Sequence, residues 1–270
     1  MGSTTEIQWC NKTFNAWRGC SPARNGNRIA PECEHCYAET NVGVKLHNIG
    51  WGDDATRVIK AESGWKQPYT WNRAAIKAGT RPRVFVGSLC DFFEDRPELV
   101  LPRQRTWRAI RECSHLTWML LTKRPENLRS MLPWSDRPWP HVWLGTTAGH
   151  PDSLHRVGKL LECPAAFRYL SVEPLLGELD LELRPLGATR EHEFGERRRA
   201  RINWLIIGAE SGPHRRPCKL EWVESLVDQA DAAGVPVFVK QSDINGKLSK
   251  DPTEWPEKLR RRELLEVTSD

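Results

Sequence analysis

Three cysteines offer the most evident chemistry in this sequence. Cys20, Cys33 and Cys36 have twelve residues between the first two and two between the last two, in a loop rich in Gly, Pro, Asn and Arg that leads into a helix. Grouped thiolates hold a soft metal, and three of them leave one coordination position open. The spacing is compatible with a zinc site completed by Cys10 or His35, with a disulfide plus a spare thiol, and with a [4Fe-4S] cluster carrying one open iron. The start of the chain lacks the basic and apolar regions of a signal peptide, so the thiols are expected to be reduced, which disfavours the disulfide. Cys10, Cys90, Cys113, Cys163 and Cys218 are scattered and read as buried free thiols.

Strands must position such a loop, and the sequence supplies them in a regular rhythm with no solenoid-type repeat. Short apolar, β-rich runs cover Thr13 to Trp17, Arg83 to Ser88, Leu116 to Thr122, His141 to Thr147, Phe167 to Val172, Ile202 to Gly208 and Pro236 to Lys240. Helices are expected over Cys36 to His47, where Ala38, Val42 and Leu46 share a face, and over Pro68 to Ala78, Pro97 to Cys113, Glu126 to Met131, Ser153 to Leu161 and Glu221 to Ala233. Val58 to Lys60 reads as loop. Continuous apolar strands alternating with helices indicate parallel β buried on both faces by βα units. The expected fold is α/β: a full or partial (β/α) TIM-type barrel forming a single domain over residues 1–270. A charged insertion lies near 178–201 and a short tail begins at about 246. Within the insertion, Glu178 to Arg184 alternates like a hairpin or edge strand, and the run ending at Arg201 is strongly basic.

Both a barrel and an open doubly wound sheet gather ligands at the C-terminal ends of their strands. The polar residues just past each run are therefore expected to share one mouth. They are Cys20, Ser88 with Asp91, Thr122 with Lys123 and Arg124, Thr146 with Thr147, Glu173, Glu210 with Ser211, and Lys240 with Gln241.

Composition narrows the setting. The chain is 39% hydrophobic and 28% charged, and no apolar run approaches the roughly 18 to 20 residues of a membrane span. A soluble, cytoplasmic protein with no membrane partner is the expectation. A formal charge of +5 permits nucleic-acid binding without requiring it. Of the thirteen tryptophans most should pack the core, and a few could stack on bases.

A three-cysteine loop after the first strand of a β/α pattern resembles the radical S-adenosylmethionine (SAM) superfamily. The superfamily's usual loop is C-x3-C-x2-C; here it is C-x12-C-x2-C, with His35 where an aromatic commonly precedes the third cysteine and Tyr37 just after it. Seven stretches between Trp17 and Gln241 also resemble a family of phage-encoded and bacterial three-cysteine-motif proteins. These are Trp17 to Cys20, Cys33 to Glu39, Leu121 to Pro125, Trp143 to Thr146, Leu170 to Leu175, Ile207 to Gly212 and Val239 to Gln241.

The superfamily resemblance implies that Cys20, Cys33 and Cys36 carry a [4Fe-4S] cluster whose open iron takes the amino and carboxylate groups of SAM. Reductive cleavage would then give methionine and a 5'-deoxyadenosyl radical that abstracts hydrogen from substrate. It further implies SAM-binding roles for Tyr37, Ser88, Asp91, Lys123, Arg124, Thr146, Glu173 and Glu210. Lys240 and Gln241 suit substrate contact or an interior ion pair. A flavodoxin- or ferredoxin-like electron donor is implied, and host cytoplasm if the chain is phage-encoded. The expected substrate is a nucleotide or a base in phage DNA, with isomerase or aminomutase chemistry on a hypermodified thymidine as one concrete version and base modification by a transferase, such as simple methylation, as another. The contrasting expectation is a zinc-stabilised, non-catalytic β/α module that binds nucleic acid or protein.

Overall fold

The computed structural model describes residues 5–43, 50–183 and 200–265. In chain order its strands and helices are β1 (Lys12–Phe14), β2 (Trp17–Arg18), β3 (Arg24–Asn25), β4 (Arg28–Ile29), α1 (Pro31–Glu34), β5 (Val58–Ile59), α2 (Gln67–Ala78), β6 (Arg83–Val86) and α3 (Val100–Glu112). There follow β7 (Thr117–Thr122), α4 (Leu128–Met131), β8 (Val142–Thr147), α5 (His155–Leu161), β9 (Phe167–Val172), β10 (Trp204–Gly208), α6 (Leu220–Ala233), β11 (Val237–Ile244) and β12 (Lys247–Ser249). Eight of the strands form one sheet in the order β1-β6-β7-β8-β9-β10-β11-β12. All pairs from β1 to β11 are parallel, and β12 returns antiparallel on β11. The mixed α/β architecture with a large, mostly parallel sheet is thus as the alternation of runs implied.

Local sequence explains the helices. In α6 the buried residues Val223, Leu226, Val227, Ala230 and Ala233 recur at helical spacing and form one apolar stripe. Gly234 closes that helix in the left-handed conformation, as Gly79 closes α2.

Each strand alternates sides within a run that looks uniformly apolar. Val84, Trp118, Leu120, Leu144, Leu170, Leu205 and Val237 join the cluster beneath the helices. Phe85, Met119, Trp143, Tyr169, Trp204, Ile206 and Phe238 form a second cluster on the opposite face, together with Trp9. The ring of Trp9 lies 4.7 Å from that of Phe85 on β6 and 6.5 Å from that of Tyr169 on β9. Three strand spacings in a flat sheet would separate β6 from β9 by about 14 Å. One indole reaches both rings because this face is concave. Gly145 makes room there, since a Cβ would sit 2.5 Å from the Tyr169 ring. The two ends of the strand series are also tied together: Arg262, which bridges to β11, donates to Gln8 Oε1 at 2.9 Å, and Arg83 on β6 donates to the Leu265 carbonyl at 2.9 Å.

Several local expectations are corrected. Thr13 to Trp17 is two strands, because Asn15 turns its side chain to Ser88 Oγ and the Leu89 amide. Val58 to Lys60 contributes β5, which pairs antiparallel with β2. The helix expected from Cys36 is a π-type turn over Ala38–Gly43, and residues 44–49 of that expectation lie outside the described residues. Residues 178–183 form no strand; Leu179 and Leu181 pack into the core and Gln229 bonds the backbone at both. The arginine run of the insertion lies outside the described residues except for exposed Arg201. Beyond 246 the chain stays on the sheet as β12 and as the bridge at Arg262. Ten of the thirteen tryptophans are buried, which leaves few as surface stacking platforms.

Candidate functional site

The C-terminal ends of the parallel strands open onto a cavity of about 350 Å³. Concave-face residues Trp9 and Phe85 lie on its wall, and the next inward-facing positions along the strands, among them Lys123, Thr147, Ser171 and Lys240, make it polar. Every sequence-nominated site residue except Thr146 lines this cavity. Thr146 faces the helix side of β8 and donates to the Thr122 carbonyl at 2.8 Å. Its neighbour Thr147 takes the place at the mouth, where its buried hydroxyl has no hydrogen-bond partner among the described residues.

Cys20 reaches the cavity directly after β2. Gly19 precedes it with φ +99°, and a Cβ there would overlap the Gly50 carbonyl at 1.9 Å, so only glycine lets the two backbones meet. Arg124 places Nη1 3.8 Å from Cys20 Sγ, 3.0 Å from Asp91 Oδ2, and Nη2 2.7 Å from the Ser21 carbonyl. Asp91 also accepts from Thr122 Oγ1 (2.7 Å) and from the amides of Lys123 (3.0 Å) and Phe93 (3.0 Å). Both Asp91 oxygens are therefore engaged within the protein. Burial would raise this carboxyl, but Arg124 and these donors hold it below the ordinary value.

Cys33 and Cys36 reach the same cavity from α1 and the turn just after it. Burial pushes the Cys20 thiol up to about 12 and raises Cys33 as well. Burial would lower Lys123, but the nearby Cys33 and Cys36 outweigh it and hold the amine above its ordinary value. Lys123 Nζ makes no hydrogen bond or ion pair with the described residues. Cys90 is a fourth thiol on the same wall, also raised by burial and by its neighbour Cys20. Read from sequence as a scattered core thiol, it is a cavity-lining residue that the sequence reading missed, although it lies two positions beyond Ser88 in the same strand-end loop.

The remaining nominated residues are already paired. Tyr37 donates to the Ser88 carbonyl at 2.6 Å, and Ser88 Oγ accepts from Asn15. Glu173 forms an ion pair with Lys240, the interior-pair alternative foreseen for that lysine. Gln241 Nε2 donates to the Ala209 carbonyl at 2.6 Å, whereas its buried Oε1 has no partner among the described residues. Glu210 accepts from Arg216 Nη2 at 2.6 Å and from the Arg216 amide at 2.7 Å, and lies 3.2 Å from His35 Nδ1.

Three thiols facing a lone amine and a guanidinium have the donor chemistry of a thiolate-bound metal or cluster, whose positive charge and ligands would displace the raised thiol protons. Among the described residues no three His, Cys, Asp or Glu side chains are drawn to a common coordination centre. The cysteines share a wall and fit such a group in type of donor.

A family model described as a protein of unknown function (DUF5131) matches residues 4–265, and the chain belongs to that family. Comparison with curated proteins and with solved structures gave no match.

Proposed function

We propose that this family member is a radical SAM enzyme: Cys20, Cys33 and Cys36 would hold a [4Fe-4S] cluster, and the curled parallel sheet is read as a partial (β/α) barrel around the SAM site. The observation that carries this reading is the convergence of three thiols and the unpaired Lys123 on one cavity at the strand C-terminal ends. When bound, the cluster supplies the electron that cleaves SAM to methionine and a 5'-deoxyadenosyl radical.

The chain's own residues bind and orient. Lys123 suits the SAM carboxylate, and Arg124, held by Asp91, sets the electrostatics beside Cys20. Thr147 Oγ1 and Gln241 Oε1 are buried without partners and suit polar groups of a ligand. The aromatic floor of Trp9 and Phe85 keeps water from below. An electron donor of flavodoxin or ferredoxin type would serve the cluster.

The substrate proposed is a nucleotide or a base in DNA, with rearrangement of a modified thymidine as the concrete version. It rests on the +5 charge and on a cavity of small-molecule size. Its binding to DNA should weaken steeply with salt; no binding to duplex or single strand at low salt removes polymeric DNA.

Anaerobic reconstitution with iron and sulfide should give a brown protein that releases 5'-deoxyadenosine from SAM after reduction. Cys20→Ala, Cys33→Ala and Cys36→Ala should each lose the cluster, and Cys10→Ala should keep it. A colourless chain with one tightly bound zinc would instead support a non-catalytic, zinc-stabilised module. Cys90 favours that second reading, since it offers a fourth thiol at the same cavity.

A further inference from the structure

The twelve-residue spacer between Cys20 and Cys33 is built, with its flanks, around two buried ion pairs that share no residue. At its first end Arg57 donates Nε to Glu94 Oε2 at 3.0 Å, and Nη2 to Glu94 Oε1 and Ser21 Oγ, both at 2.6 Å. Its Nη1 meets the carbonyls of Gly50, Gly52 and Ala55. Glu94 Oε1 also receives the Ser21 amide at 3.0 Å. This ties the residue after Cys20 to the loop beyond β6.

At the other end Glu32, adjacent to Cys33, accepts from the Gly149 amide (3.0 Å), Ser153 Oγ (3.0 Å) and Arg156 Nη1 (3.3 Å). Arg156 in turn donates to the Thr147 carbonyl and to Asn25 Oδ1 in the β3–β4 hairpin. This ties the hairpin and the residue before Cys33 to the end of β8 and the start of α5.

Buried charge pairs give little net stability compared with apolar packing, and their best-supported use is to specify geometry. We propose that Arg57 with Glu94, and Glu32 with Arg156, are positioning residues that hold the two limbs of the cysteine loop independently: the first pair sets Cys20, the second Cys33 and Cys36. The spacer is long because it crosses the mouth from one anchor to the other. The purpose of the placement, metal or cluster binding, rests on the function proposed above; the limb assignment does not.

The test is peptide-resolved alkylation of the metal-free full-length chain, with buried Cys113 and Cys163 as reporters of global opening. Arg156→Met should speed alkylation of Cys33 and Cys36 by about tenfold while leaving Cys20 unchanged, and Arg57→Met should do the reverse. Should Arg156→Met fail to fold, Glu32→Gln carries the same test, because it weakens the pair while keeping the side chain's size. Arg156→Lys should partly restore protection. Cobalt(II) titration, followed by its thiolate absorption, should show each Met variant about 10- to 100-fold weaker than the parent chain. Equal acceleration at all three cysteines, acceleration shared by Cys113, or no acceleration would overturn the proposal. Limb-specific protection in a parent chain that binds no thiolate metal would uphold the two anchors and overturn the cluster.

Discussion

At the ends of β2, β6 and β7 the mouth sets thiols against cations, whereas at the ends of β9, β10 and β11 each acid has already found its base. Glu173 is matched by Lys240 and Glu210 by Arg216. Across the cavity, Lys123 forms no ion pair among the described residues, and Arg124 faces a thiol as well as Asp91. Charge withdrawn from water is costly when uncompensated. The half that leaves a cation open is therefore the half expected to take an anionic ligand, while the compensated half shapes the wall.

Substitutions can break this contrast. The largest effect is expected from Asp91→Ala, which strands Arg124 and several buried donors at the end of β7. It should cost about 3–5 kcal/mol in urea denaturation and loosen Cys20 with it. Lys240→Met removes the ion-pair partner of Glu173, leaving it the longer bond from Gln241 Nε2 at 3.4 Å, and should cost about 1–3 kcal/mol. The double variant Lys240→Met with Glu173→Gln should recover part of that loss, which a double-mutant cycle would read directly. Lys123→Gln should behave in the opposite way. It breaks no hydrogen bond or ion pair to the described residues, so the denaturation midpoint should fall less than in Lys240→Met, through loss of the charge that Cys33 and Cys36 favour, yet SAM binding to the reconstituted protein should weaken about 10- to 100-fold, as the loss of a charge-assisted bond does.

The smallest effect is on pH dependence, where both halves should respond alike. Asp91 and Glu210 are each held below the ordinary carboxyl value, chiefly against burial, by Arg124 and Arg216 respectively. A carboxyl lowered in the folded state contributes stability that is fully present above its unfolded pKa and lost as pH falls through the folded one. Stability measured by urea midpoints should be level above about pH 5 and decline below about pH 4. Cys20 runs the other way: its proton is held up to about 12, so affinity for thiolate metals should rise steadily across neutral pH.

The positions and parallel direction of the main strands were legible in the sequence because each run is apolar and followed by a helix or a polar loop, whereas their order was left open between a barrel and a doubly wound sheet. The mouth was legible for the same reason, since residues past the ends of parallel strands have one place to meet. Thr146 and Thr147 were not separable, because the run from His141 is buried on both faces and the pleat leaves no polar alternation to read. Cys90 escaped because a core thiol and a cavity thiol look alike in sequence. Arg57 and Glu94, and Arg156 and Glu32, are joined only by the fold, and no local pattern announces such a pair. The two-residue β5 likewise exists only because β2 lies beside it.

The indoles of Trp9 and Trp51 sit on the cavity wall with buried ring N–H groups that have no partner among the described residues. That arrangement makes the cavity report on itself. An occupant that accepts a hydrogen bond from either ring, or a coloured group held by the nearby thiols, would alter their emission. Intrinsic fluorescence can then follow filling of the site in solution, before any product is identified.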